Sequence, residues 1–276
     1  MSKVMGGRRS TYLLLSGIKV SRAVRLTADL ELLPIAEKGS PRPFLSNLEM
    51  LDQQFALLLL PFVDSQLKVS GQGGEDISTR AWNALWDVLL LSAIYATTVN
   101  CGLQSSSDFD RFTQRSRLNI IHYRLYDPPR GDGLALAEAD CLWLEQFFPL
   151  AQDLLAEHRF QNAVHCLATY HWHSLPRAQL ALLWAGIEGL FAVDSEIAFR
   201  ISLYSAKFLA PTDAVEQRRI FEGVRRLYGV RSKAVHGGKI KGEPSESVDD
   251  SVKLLGRLIR ACIEGHRLPV VSELAL

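Results

Sequence analysis

Six successive stripes of large apolar side chains, each at helical spacing, fill the chain after residue 133 and commit that part to packed helices. The first holds Leu144, Phe147, Ala151 and Leu154, with Pro149 expected to kink or split it. The second holds Phe160, Val164, Leu167 and Ala168. The third opens at Ser174 and Pro176 and carries Leu180, Leu183, Trp184, Ile187, Leu190 and Phe191 on one side. Its other side is small: Ala178, Ala181, Ala185, Gly186 and Gly189. Large on one face and small on the other predicts close neighbours all round, hence a central helix. The fourth stripe is Ile197, Ile201, Tyr204 and Phe208, opened near Asp194 and closed by Pro211. The fifth is Ile220, Phe221, Val224, Leu227 and Tyr228, with Gly229 as the expected stop. The sixth is Val248, Val252, Leu255, Ile259 and Cys262, with Glu246, Asp249 and Asp250 suited to its N-terminus.

The first 130 residues read differently. Tyr12–Val20 and Val24–Leu33 are short, apolar and partly β-branched, and predict two strands. Leu48–Val63 predicts a helix ending near Pro61, or a helix and a strand. Trp82, Leu85, Trp86 and Leu89 follow helical spacing after a cap at Ser78, and Leu89–Val99 turns strand-like. Ser105–Asp110 is a polar loop and Asn119–Tyr126 a strand. The run Pro128–Gly133 reads as a linker. The expected fold is α+β overall: a mixed α/β region over 1–133, of unassigned role, then an all-α helical bundle over 134–276.

With 47% hydrophobic and 22% charged residues, the chain is an ordinary globular protein. The longest strongly apolar stretches, Val88–Ala96 and Ala178–Ile187, have nine and ten residues, whereas a spanning helix needs about 20. No membrane partner is expected. Arg8-Arg9 ahead of Tyr12–Leu15 has the look of a twin-arginine signal, but the apolar run stops by Ile18 and no small-residue cleavage site follows. Cys101, Cys141, Cys166 and Cys262 lie far apart, which fits reduced thiols and a cytoplasmic location.

A net charge of +1 excludes a uniformly basic nucleic-acid coat, yet it hides a concentration of charge. Between Gln217 and Lys241, eight basic side chains (Arg218, Arg219, Arg225, Arg226, Arg231, Lys233, Lys239 and Lys241) face one acid, Glu222. That stretch carries +7, so against a total of +1 the rest carries −6. A charge run is commonly a solvated helix face, and it is also the footprint expected for a phosphate backbone. Arg225, Arg226, Lys233, Lys239 and Lys241 are the candidate RNA contacts.

Inside this stretch Arg231 precedes His236 with four residues between them. A guanidinium forks onto phosphate oxygens, and an imidazole moves protons near neutrality. The spacing alone selects nothing: about 1.7 matches with four to six intervening residues are expected by chance, and the chain holds five. The others are Arg115/His122, Arg117/His122, Arg159/His165 and Arg260/His266. Context favours Arg231/His236, which sits in the basic stretch, past an expected helix stop, with Gly237 and Gly238 next.

Leu183-Trp184-Ala185-Gly186-Ile187-Glu188-Gly189-Leu190-Phe191, then Phe199-Arg200-Ile201-Ser202, then Leu227 through Gly237, in that order, resemble the HEPN superfamily and most of all its Apea-like branch. The resemblance covers about residues 138–265. It implies a helical bundle that forms a homodimer, with the Arg-x(4–6)-His motifs of both chains at one cleft. It further implies a metal-independent ribonuclease of toxin or phage-defence type, without cofactor, acting with an antitoxin or defence-system partner. Other HEPN proteins are catalytically silent and only bind, so the alternatives are a silent module that binds RNA, nucleotide or a partner protein, and a purely structural dimerisation unit in a defence complex. Where the family has Asn, Asp or His after the Arg, this chain has the shorter Ser232. The implied chemistry has His236 take the proton of a ribose 2′-hydroxyl, which attacks the adjacent phosphate. Arg231 steadies the charge that builds there, leaving a 2′,3′-cyclic phosphate and a 5′-hydroxyl. DNA lacks the attacking group.

Three further residue groups bear on the site. Glu188 is the one charged residue between Arg177 and Asp194. It either orients Arg231 or His236, or forms a structural pair such as one with Arg200, or sits at an exposed edge. Tyr228 is a core residue or a stacking platform for a base. His165, Cys166, His171 and His173 are rich in ligand atoms but not spaced to converge, so no metal is expected.

Overall fold

The computed structural model describes residues 9–36, 45, 48–113, 115–123, 132–238 and 243–275. By its contacts the chain forms two compact units, one of residues 1–88 with 97–149 and one of 89–96 with 150–276. The expected linker falls mostly outside the described residues. Taken together the elements make an α+β protein.

The first unit is built on a six-stranded antiparallel sheet. Its strands are β1 (Ser10–Ser16), β3 (Val24–Arg25), β4 (Leu30–Pro34), β5 (Ser65–Ser70), β6 (Asn100–Ser105) and β7 (Leu118–Ile120), in the order β3-β4-β5-β1-β6-β7. A separate parallel pair joins β2 (Ile18–Lys19) to β8 (Leu134–Ala135). At the centre Leu13 of β1 stands opposite Leu67 of β5 and Gln104 of β6. On one face Leu14, Leu103, Leu118 and Ile120 join Ala56 and Leu60, supplied by α1 (Met50–Leu59) and the 3₁₀ turn after it. Alternation sends Leu13 and Leu15 to the other face, where both are fully buried. A second helix, α2 (Glu75–Tyr95), follows β5.

Several expectations for this unit need correction. Val24–Leu33 is not one strand but the hairpin β3–β4. The Thr27 hydroxyl accepts the amides of Asp29 and Leu30 and turns the chain between them. Leu89–Val99 does not turn strand-like, because α2 continues to Tyr95 and ends where Ala96 takes φ +47°. Its last turns are buried on nearly every side, which erases the helical period. The predicted strand from Asn119 ends at Ile120, and residues 124–126 of that expectation lie outside the described residues. Two central strands, β5 and β6, went unpredicted because their buried positions include Ser65, Gln66, Gln104 and Ser105. Hydrogen bonds allow those polar groups to be there. Ser65 donates to Ile18 O at 2.8 Å, Gln104 to Thr11 Oγ1 at 2.8 Å, and Thr11 to Ser105 O at 2.9 Å.

The second unit contains helices and no strand among its described residues. Helix α3 (Glu138–Leu154) runs from the first unit into it, and α4 (His158–Thr169), α5 (Pro176–Phe191), α6 (Ile197–Leu209), α7 (Ala214–Val235), α8 (Pro244–Gly265) and the short α9 (Val271–Leu274) follow. Pro149 does not split α3, and the buried aromatic ring is Phe148 where Phe147 was expected. Helix α5 is central, touching α4, α6, α7 and α8. All six of its large stripe residues are buried. The small-residue side is closed mainly at Gly186, where an added Cβ would lie 3.0 Å from both Cys166 Cβ and Leu255 Cδ2. Ala185 stays exposed, so the neighbours do not close all round. No helix of the described residues is long and apolar enough to cross a membrane.

Candidate functional site

The site rests on α7. Asp213 caps its start, accepting the amides of Val215 and Glu216 at 3.0 Å each. Ile220, Val224 and Ala234 are buried along one side, with Tyr228 and Arg231 half-buried between them. Gly229 does not end the helix. It lies on the outer face with open space where a Cβ would stand. Glycine there costs about 1 kcal/mol relative to alanine, and the inward packing of Ala234 one turn later carries the helix past it. The stop comes at His236. There Gly237 adopts φ +74° and the Gly238 amide bonds back to Lys233 O at 2.8 Å, a Schellman closure.

This moves Arg231 from the expected loop into the last turns of a helix, on its packed side. Arg231 Nη2 sits 3.0 and 3.1 Å from the two carboxylate oxygens of Glu188 on α5. Its guanidinium also lies 5.5 Å over the Tyr228 ring. Tyr228 meets Trp184 edge-on at 5.4 Å, and Trp184 donates its indole N–H to Ser251 at 3.1 Å. The pair is mostly withdrawn from water, with 19% and 23% of the two side chains exposed. Arg231 Nε is buried without a hydrogen-bond partner among the described residues. Burial pushes the Glu188 carboxyl above the usual range, and the Arg231 charge pulls against that shift. Of the readings open for Glu188, the pair with Arg231 is the one formed; Arg200 bonds Glu196, the residue that precedes its own helix.

The opposite face of α7 is open. Arg225, Arg226, Lys233 and His236 are all exposed, and none has an ion-pair partner among the described residues. At about 100° per residue, Arg231 and His236 point some 140° apart, the one into α5 and the other into solvent. The structure therefore joins Arg231 with Glu188 and Tyr228, and groups His236 with the basic residues. It does not bring Arg231 and His236 of one chain together. Ser232 is half-buried, and its carbonyl accepts the His236 amide at 3.0 Å. Lys239 and Lys241 lie outside the described residues.

The +7 of the stretch is thus not +7 on the surface. Besides Arg231, Arg218 pairs with Glu222 and Arg219 with Glu216, which Arg257 also reaches. The Arg219 guanidinium foremost holds the Glu216 carboxyl down at about 2. Sequence reasoning overlooked Arg177, in the first turn of α5. Its guanidinium donates to the carbonyls of Lys233, Ala234 and Gly238. The available signal was a cation at a helix start, where its own helix dipole disfavours it.

The arginines of two rival motif matches have other occupations. Arg159 donates to Leu190 O at the end of α5, and Arg260 pairs with Glu264. Burial lowers the His165 pKa and raises the Cys166 and Cys262 thiols to about 11 and 12, far from reactive thiolates. Among the described residues no three His, Cys, Asp or Glu side chains are placed to hold a metal ion. Compared with models of protein families, with curated proteins and with solved structures, the chain matches none.

Proposed function

We propose that the helical unit is a metal-independent endoribonuclease of HEPN type that binds RNA along the open face of α7. One observation carries the reading: Arg225, Arg226 and Lys233 on α7 and His236 at its C-terminal cap are all exposed, with no acid paired to them among the described residues. Phosphates neutralised along such a face would set a proton-transfer group beside the backbone. His236 accepts the 2′-hydroxyl proton, the 2′-oxygen attacks phosphorus, and the 5′-oxygen leaves with a proton. In a two-fold homodimer the second His236 supplies that proton. The resemblance in the sequence supports this chemistry, the toxin or phage-defence role and an antitoxin or defence-system partner.

A second reading, a silent HEPN module that binds RNA, draws on the Arg231–Glu188 pair. A guanidinium already matched to a carboxylate adds little to a phosphate transition state. Incubating the full chain with mixed RNAs in excess EDTA, beside His236→Ala, separates the two. The nuclease reading expects cleavage with cyclic phosphate ends and a loss of about 100-fold or more in the variant. Binding without cleavage selects the silent module. Equal cleavage by His236→Ala removes the assignment to this histidine.

A further inference from the structure

The exposed imidazole of His236 has no hydrogen bond, ion pair or ring contact among the described residues, so its direction depends on the backbone that carries it. Among the described residues, the Arg177 side chain holds that backbone from outside. Arg177 Nη1 donates to Lys233 O at 3.2 Å and Ala234 O at 3.1 Å, and Nη2 donates to Gly238 O at 2.9 Å. The three carbonyls bracket His236, two before it and one after. Two belong to the last turn of α7, where carbonyls have no partner within the helix. The third lies beyond Gly237, whose φ of +74° reverses the chain.

From these contacts we infer that Arg177 is a positioning residue for His236, a role that rests on the proton transfer proposed above. A planar guanidinium can span acceptors on both sides of the turn, and a lysine ammonium at the same place cannot. Its location argues for a tertiary purpose. In the first turn of α5 it opposes that helix's own dipole, while its charge suits the C-terminus of α7. Without it the Schellman bond from Gly238 to Lys233 remains, so α7 still ends at the same residue. What is lost is the tie between this turn and α5. Arg177→Ala should therefore loosen the His236 turn and leave the helical unit folded.

The test uses the full chain, with Arg177→Ala and Arg177→Lys beside the parent and His236→Ala. Amide hydrogen exchange at Gly238 reads the turn, and steady-state RNA cleavage reads the chemistry. Exchange at Gly238 should rise about tenfold or more in Arg177→Ala, with the amides of α5 unchanged. The rate constant kcat should fall by about 10- to 100-fold, because misplacing a reacting group costs that much, while KM stays within a factor of about two. Arg177→Lys should recover part of kcat at most, and millimolar guanidinium should restore activity to Arg177→Ala. If Arg177→Ala exposes the turn yet cleaves like the parent, or loses KM instead of kcat, positioning by Arg177 is wrong and the nuclease reading stands. If Arg177→Ala unfolds by circular dichroism, Arg177→Lys decides: parent-like kcat overturns the proposal. Should the parent cleave nothing, the nuclease reading fails and takes the positioning role with it, whatever the exchange data show.

Discussion

Arg226 and Arg231 stand on one helix, less than two turns apart, and meet opposite surroundings. Arg226 faces water and forms no ion pair among the described residues. Arg231 faces α5, lies over Tyr228 and is matched to Glu188. An arginine held by a half-buried carboxylate belongs to the packing of the unit, and removing either partner strands the other. An exposed unpaired arginine costs nothing to remove from the fold and everything it contributes is available to a ligand. Charge counted along a sequence is therefore not charge presented by a surface. The basic stretch divides into residues that hold α7 in place and residues free to meet phosphate.

The comparison is best broken by reversing the open side. Arg225→Glu with Arg226→Glu should weaken RNA binding on the order of 100-fold at low salt and reduce the slope of log affinity against log salt by about one or two. The melting transition should stay near the parent's, since exposed positions usually move stability by no more than about 0.5 kcal/mol. Unchanged affinity in filter binding at several salt concentrations would remove the footprint.

The packed side predicts the converse. Glu188→Ala leaves the Arg231 guanidinium mostly buried and unpaired, and should lower stability by about 2 kcal/mol in urea unfolding, less than for a fully buried pair because both groups keep some water. Arg231→Ala should cost a similar amount. The exposed Arg200–Glu196 pair, at 35% and 71% exposure, is the control: Arg200→Ala should cost at most about 0.5 kcal/mol. Equal losses for the two pairs would abolish the distinction between the faces.

The smallest effect is the dependence of stability on pH, and it separates two glutamates by sign. Glu216 is held down to about 2, first by the Arg219 hydrogen bonds. Its contribution is present above the ordinary glutamate range and is lost as the pH falls from there towards about 2. Glu188 is raised by burial, so its contribution is full below the ordinary range and is lost as the pH rises through its raised value. Glu216→Gln should flatten the acid side of the stability curve, and Glu188→Gln should flatten the loss on the rising side. Chemical unfolding across pH reads both, and a like-signed change in the two variants would contradict the burial difference between them.

Much of the helical unit was legible because water does the sorting. Phe160, Val164, Leu167 and Ala168 recur at helical spacing, and all four are buried. The same holds for Val248 through Cys262 on α8 and for the large face of α5. Such stripes need one neighbour each, and periodicity reports that without naming the neighbour. The sheet was legible at β1 and lost at β5 and β6. There, buried Gln66 and Gln104 find their hydrogen bonds on other elements, Asp108 for one and Thr11 for the other, which no local pattern encodes.

The amino-acid sequence by itself determined that residues 217–241 are basic, that Arg231 and His236 stand five apart, and that a large-faced helix precedes them. Periodicity and composition are sums over neighbours in the chain, so they survive without a fold. Only the tertiary structure decided that α7 runs through Gly229, because inward packing of Ala234 outweighs the propensity cost of one exposed glycine. Only it decided that Glu188 takes Arg231 and not Arg200, that Arg177 reaches three carbonyls around His236, and that His236 is left facing water. Each of those depends on which helix end lies beside which, and guanidinium, carboxylate and carbonyl find one another through space across 43 to 61 positions of chain.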